Sequence, residues 1–216
     1  MRNNGKILRL TLILILVASL CHGQSNLDYQ LYSKEIDSFI TEGVKYNVET
    51  KEVVIFKKYL PTHNEISILV TELQDTDVNM LKMMMNFDTV KLRLCNDESF
   101  RKAIFELERD FFNTPTLDEH RFTIKPVTKS MTAQQFQELF GKKTGKGIDK
   151  GWKHFYTLNP GSHGIFEFSK IYFAGNYACF YVGRHSNGLS GSGDIIVMQK
   201  DNNTWRILVY FNLWMS

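Results

Sequence analysis

Proline is scarce in this chain, with four in 216 residues. No Pro-rich linker, internal repeat or low-complexity tract interrupts it. That excludes a string of tethered modules, a solenoid and a disordered spacer. Cysteine is scarcer still: Cys21, Cys95 and Cys179 are all there are. A disulfide-dense mini-scaffold needs several bridges, so an apolar core has to carry this fold. Long hydrophobic runs are also missing. The one present, Leu10 to Leu20, is shorter than the roughly 18 apolar residues that a membrane span requires.

Surplus charge is missing too, once its place is noted. The formal net charge is +3, and Arg2, Lys6 and Arg9 account for all of it. These residues open the chain ahead of the apolar run, and Cys21-His22-Gly23 follows that run. This is the layout of a secretory signal peptide over residues 1–23, with cleavage ahead of Gln24. The expected product is an exported protein, periplasmic or secreted, of near-neutral charge. Its sequence pI of 8.6 then says nothing for nucleic acid, whose binding needs a basic face that survives processing. Two other readings of the leader are an uncleaved anchor and a lipid anchor on Cys21. Leu20 stands where a lipoprotein signal wants a small residue. Membrane association is expected only if Cys21 is lipidated.

What the chain has is aromatic material: 16 Phe, 9 Tyr and 3 Trp. Residues 24–216 have the length of one domain and ample apolar content for a single core. Leu27 to Tyr46 reads as a helix, with Leu31, Tyr32, Ile36 and Phe39 at three- and four-residue spacing and Gly43 as a stop. Glu52 to Leu60 and Ile66 to Leu73 read as a strand pair around Pro61. Asp77 to Phe87 reads as a helix whose methionines, Met83 to Met85, fill core. Asp97 caps a stronger helix reaching about Phe112, with Phe100, Ile104, Leu107 and Phe111 as its buried stripe.

His120 to Val127 reads as a strand, placed at an edge by Pro126. Ser130 then caps a helix from Thr132 to Phe140. Gly141 to Gly151 reads as a mobile Gly- and Lys-rich loop. It holds Gly145-Lys146, but Gly147 stands where a phosphate loop needs Ser or Thr. Beyond it the strands are Phe166 to Ala174, Tyr177 to Arg184, Asp194 to Lys200 and Thr204 to Met215. Short turns at Gly175-Asn176 and Asp201-Asn202-Asn203 join them into an antiparallel meander. The last strand, apolar on both sides, is expected inside the sheet. With helices gathered towards the front, the class is α+β, one domain over 24–216. Cys95 and Cys179 allow a disulfide, while buried thiols are the reading that Cys179's apolar strand favours.

The segment richest in chemistry is Arg184 to Gly193, read as a turn. It holds His185, Ser186, Ser190 and Ser192 among glycines, which permit positive φ and expose backbone N–H groups to an anion or oxyanion. Gly188-Leu189-Ser190-Gly191-Ser192 narrowly fails the nucleophile-elbow pattern, and its setting is strand–turn–strand. The five histidines after the leader (His63, His120, His154, His163 and His185) show no metal-ligand spacing, so neither metal nor cofactor is expected. His154, His163 and His185 converge if the loop folds over the sheet. Glu167, Asp194 and Asp149 are the carboxylates available to a glycosidase pair. Trp152, Phe155 and Tyr156 either cover the sheet or, if exposed, stack on a sugar or grip a peptide. The candidate binding residues are Arg184, His185, Ser190, Ser192, Trp152 and Tyr156.

The C-terminal third also carries a recognisable set of residues: Gly151-Trp152, Phe155-Tyr156, Pro160, Ser162, Gly164, Ser169, Tyr181-Val182-Gly183, Gly188-Leu189, Gly191-Ser192-Gly193, Trp205 and the terminal Leu213-Trp214-Met215-Ser216. Over Gly151 to Ser216 the chain resembles a family of uncharacterised exported proteins of Gram-negative bacteria that end in a Trp-x-Ser motif. The resemblance implies export and brings no activity with it. Members often carry two cysteines in the glycine-rich turn. Ser186 and Ser190 stand there in this chain, which argues against a bridge or a metal at that place.

The expected function is a non-enzymatic binding module at the cell envelope or outside the cell, with a peptide, glycan or protein as partner. A role as an immunity or inhibitor protein falls within that class. The alternative is a small secreted hydrolase using Arg184–Gly193. A serine, His185 and a carboxylate meeting in one cleft would favour the hydrolase, and an aromatic patch would favour binding.

Overall fold

A computed structural model describes residues 25–44, 49–58, 66–67, 69–70, 89–141 and 147–216. The signal peptide expected over residues 1–23, the helix expected over Asp77 to Phe87 and the Pro61 loop lie outside the described residues.

The first helix, α1 (Asn26–Val44), starts from a reciprocal cap. The Asp28 N–H donates to Ser25 Oγ at 3.2 Å and the Ser25 N–H to Asp28 Oδ2 at 2.9 Å. Its stripe of Tyr32, Ile36 and neighbours is buried as the spacing predicts. Strand β1 (Glu52–Phe56) follows, then α2 (Thr89–Cys95) and α3 (Glu98–Arg109). Asp97 caps α3 as expected, accepting from the Ser99 and Phe100 N–H groups. After β2 (Val127–Met131) comes α4 (Ala133–Phe140), capped by Thr132 rather than Ser130 through a capping box with Gln135. Helix α5 (Gly147–Leu158) and strands β3 (Ser162–Phe168), β4 (Tyr172–Ala174), β5 (Tyr177–Asn187), β6 (Ser190–Asp201) and β7 (Thr204–Met215) complete the chain.

The strands form one sheet in the order β2-β1-β3-β5-β6-β7, with β4 also on β5. β3, β5, β6 and β7 pair antiparallel in sequence order, as a meander should. β1, however, lies parallel to both β2 and β3. The sheet is therefore mixed, and α+β holds as the class without a purely antiparallel sheet.

Alternation along β5 builds cores on both sides of it. Tyr177, Cys179 and Tyr181 enter a cluster with Phe100, Ile104 and Leu107 of α3. Ala178, Phe180 and Val182 enter another with Tyr32 and Ile36 of α1. A third cluster, at the β1 end, joins Trp152 and Phe155 of α5 to Leu139 and Ile165. Cys95 and Cys179 both lie in the α3 cluster, and no bridge forms between them. Burial pushes the Cys179 thiol far above its ordinary range.

Several expectations change. Helices do not all precede the sheet: α4 and α5 sit between β2 and β3. Ile66, Ser67, Leu69 and Val70 are helical, not a strand, and β1 takes no hairpin partner because its neighbours are β2 and β3. His120 lies in a 3-10 turn (Glu119–Arg121), and the edge strand begins only after Pro126. Gly147 to Gly151, expected as loop, open α5. Phe166 to Ala174 is two strands, β3 and β4. Among the described strands β7 lies at an edge, with only Phe211 buried, and is not an interior one. No helix among the described residues is long and apolar enough to cross a membrane.

Candidate functional site

Arg184 to Gly193 is not one long turn. Arg184–Asn187 end β5, Ser190–Gly193 begin β6, and only Gly188 and Leu189 turn the chain. Side chains here therefore alternate between the faces. Arg184, Ser192 and Asp194 lie on the α1 face, and His185 lies with Glu167 on the other.

The glycines serve space rather than unusual φ. Positive φ occurs at Gly147, Gly164 and Gly175 and at none of Gly183, Gly188, Gly191 and Gly193. Gly183 and Gly193 face each other across the β5–β6 ladder. A Cβ on Gly183 would fall on the Glu167 carboxylate, and one on Gly193 on the Trp214 indole nitrogen. The two clearances admit a relay. Trp214 Nε1 donates to the Tyr181 hydroxyl at 3.2 Å, and that hydroxyl donates to Glu167 Oε1 at 3.4 Å. His185 Nε2 sits 2.9 Å from the same oxygen, while its ring lies 5.4 Å from the Trp214 ring. A carboxylate only accepts, so Nε2 carries a proton in this contact. Gly164 is the one place here where left-handed backbone is required: its φ is 123°, and a Cβ would strike the His185 carbonyl.

On the α1 face, a cleft of about 460 Å³ opens beside the hairpin. Phe39 and Phe166 form an apolar wall with rings 5.3 Å apart, and Arg184 lies over Phe39. Arg184 donates to Asp194, which is buried, and stands 3.8 Å from Glu35. Ser192 Oγ donates to Asp194 Oδ2 at 3.1 Å and Asn212 Nδ2 to Oδ1 at 2.9 Å. Behind Arg184, Glu35 is fully buried and accepts from the Tyr210 hydroxyl at 3.1 Å. Desolvation raises its carboxyl to about 7 against the opposing pull of Arg184. Glu35 Oε1 and Arg184 Nε are buried without a hydrogen-bond partner.

No family model, curated protein or solved structure matches this chain.

Of the residues singled out in the sequence, Arg184, His185, Ser190 and Ser192 all border this cleft, although the His185 imidazole turns to Glu167 on the other face. Ser190 Oγ accepts from Ser186 Oγ at 3.0 Å. Trp152 does not share it: it is 6% exposed, packed between Phe140 and Phe155, and it has no open face for a sugar. Tyr156 is half-buried and donates from its hydroxyl to the Ser186 carbonyl at 2.6 Å, bracing the hairpin from α5. His163 lines the cleft with His185, whereas His154 lines a separate hollow beside β2 and α4. Glu167 and Asp194 sit on opposite faces of the sheet, so they form no glycosidase pair, and Asp149 is exposed on α5. Among the described residues no three His, Cys, Asp or Glu side chains gather as metal ligands. Glu35, Phe39, Phe166 and Asn212 were missed. They reach the hairpin from α1, β3 and β7, and the 3.6-residue stripe of α1 marked Phe39 only as core.

Proposed function

We propose that this protein is an exported, non-enzymatic binding module whose ligand site is the cleft between α1 and the β5–β6 hairpin. The reading rests on how the polar side chains there are engaged. His185 Nε2 faces Glu167, the Ser192 hydroxyl donates a hydrogen bond to Asp194, and Ser190 accepts from Ser186. A Ser–His nucleophile needs the imidazole in hydrogen-bond reach, and these serines bond Asp194 and Ser186 instead. What the cleft offers is an aromatic wall beside a fixed polar row, the composition of a recognition site. Export is inferred from the leader and from the resemblance to exported Gram-negative proteins, with an envelope peptide or glycan as ligand class.

The second reading is a small hydrolase, and one observation serves it. Glu167 orients the His185 imidazole as a carboxylate orients a general base. Screening with generic ester and peptide substrates decides between the two. No turnover is expected, and turnover that disappears in Ser190→Ala would overturn the binding module. Pull-down from native envelope fractions, repeated with Asn212→Ala, should lose its captured ligand in the variant. Export has its own check: protein recovered from the producing cell should begin near Gln24, and an intact Met1 would refute it.

A further inference from the structure

The hydrogen-bonding capacity that Asp194, Asn212 and Ser192 leave unused is acceptor capacity. The Asp194 carboxylate has about four acceptor positions. Arg184 and Ser192 occupy Oδ2 and Asn212 occupies part of Oδ1, which leaves one position on Oδ1. Asn212 has to turn its amide nitrogen to this carboxylate, since a carboxylate cannot donate. The same nitrogen donates to the Trp214 carbonyl at 3.2 Å, so Asn212 Oδ1 is left as an open acceptor. The Ser192 hydroxyl donates its hydrogen bond to Asp194 and keeps lone pairs on Oγ. Three acceptor oxygens thus stand around one buried carboxylate on the cleft wall. Charge points the same way. Arg184 is the cation of this cluster, and Asp194 and Glu35 both face it.

We propose that the cleft captures a primary ammonium group, its three N–H donors directed at Ser192 Oγ, Asp194 Oδ1 and Asn212 Oδ1. The carbons bearing the amine lie against Phe39 and Phe166. An ammonium has three donors and no acceptor, which matches these three acceptors. Asp194 repels an anion. A neutral hydroxyl satisfies the oxygens but gains nothing from the Asp194 charge. The inference rests on the binding-module reading. The amine has two natural sources, a lysine side chain of a peptide or an amino sugar, and the experiment separates them.

Calorimetric titration of the mature protein at pH 7 and low salt would use Nα-acetyl-lysine amide and glucosamine. Nα-acetyl-norleucine amide and glucose are the neutral counterparts. At least one amine should bind about tenfold tighter than its counterpart, and the winning pair names the source. Asn212→Ala and Ser192→Ala should each weaken it about fivefold, the value of one hydrogen bond. Asn212 is exposed, so its variant should keep the wild-type melting temperature. Binding should also weaken in 0.5 M salt. Equal binding of a neutral counterpart, or no binding of either amine, overturns the proposal. A neutral probe lost in Asn212→Ala would do so while leaving the binding module standing, whereas turnover lost in Ser190→Ala would remove the module reading itself.

Discussion

Glu35 has the most consequential single environment in the molecule. Its carboxyl is held near 7 rather than 4.5, chiefly by desolvation, so the folded chain binds a proton there that the unfolded chain has released. Between those two values the folded state holds more protons, and stability falls as pH rises. The contribution is full below about 4.5 and lost through 7, amounting to about 3 kcal/mol. Urea melts of wild type and Glu35→Gln from pH 5 to 8 should show it: the variant gains relative to wild type as pH rises. Parallel profiles would mean that Glu35 titrates as an ordinary surface carboxyl. Tyr210, its hydrogen-bond partner, is pushed to about 12 by burial first and by Glu35 second, and stays a donor throughout. A second prediction concerns the paired glycines. Gly193→Ala should cost about 1 to 3 kcal/mol by overpacking against Trp214, while Ser190→Ala should stay within about 0.5 kcal/mol. Equal melting temperatures for the two would show that Trp214 moves aside freely. At this scale the hairpin half of the site was legible, because Arg184, His185, Ser190 and Ser192 crowd into ten residues. Glu35, Phe39 and Asn212 were not, since no local pattern tells which helix face or strand meets a given hairpin. The glycines were noticed for the wrong reason: their φ is ordinary, and the space above them is what matters.

Among the elements, local chemistry was legible and long-range pairing was not. The Asp97 cap, the α1 and α3 stripes, the two turns and β7 follow from spacing and turn residues alone. The short apolar run from Ile66 was misassigned because such a run does not distinguish helix from strand. The parallel pairing of β1 with β2 and β3 spans 75 or more residues and leaves no mark in the local sequence. β7 was expected inside the sheet because both its faces carry apolar residues, yet nothing pairs its outer edge among the described strands. Its truncation should therefore cost less than the full burial of a tryptophan. Removing Leu213 to Ser216 loses the Trp214–Tyr181 hydrogen bond and the Ser216–Gly191 backbone pair, for about 2 to 3 kcal/mol. Thermal melting of the truncated chain checks this, and an unchanged midpoint would show that the Trp214 end adds nothing. Thr132→Ala, which removes the α4 capping box, should cost about 1 kcal/mol in the same assay.

For the whole molecule, the sheet is the element that neither helical layer can do without. Residues of β5 and β6 alternate into the α3 cluster and the α1 cluster, so melting one core exposes the strands that floor the other. Ile165 lies beside Phe166 on β3 and carries the same dependence to the α5 cluster, which holds Trp152. The hairpin adds a polar tie: Tyr156 of α5 bonds Ser186, while Arg184 two residues earlier faces Glu35 of α1. A chain built this way should unfold as one unit over residues 24–216. Tryptophan fluorescence reports on Trp152, Trp205 and Trp214, which lie in or beside different clusters, and far-UV circular dichroism reports on the whole backbone. In a urea titration at constant pH the two should trace one curve with a common midpoint. A fluorescence change from Trp152 that precedes loss of ellipticity would show that α4 and α5 open separately from the sheet. That result would also loosen the brace on the hairpin, so amine affinity should then fall with α4–α5 opening and before global unfolding.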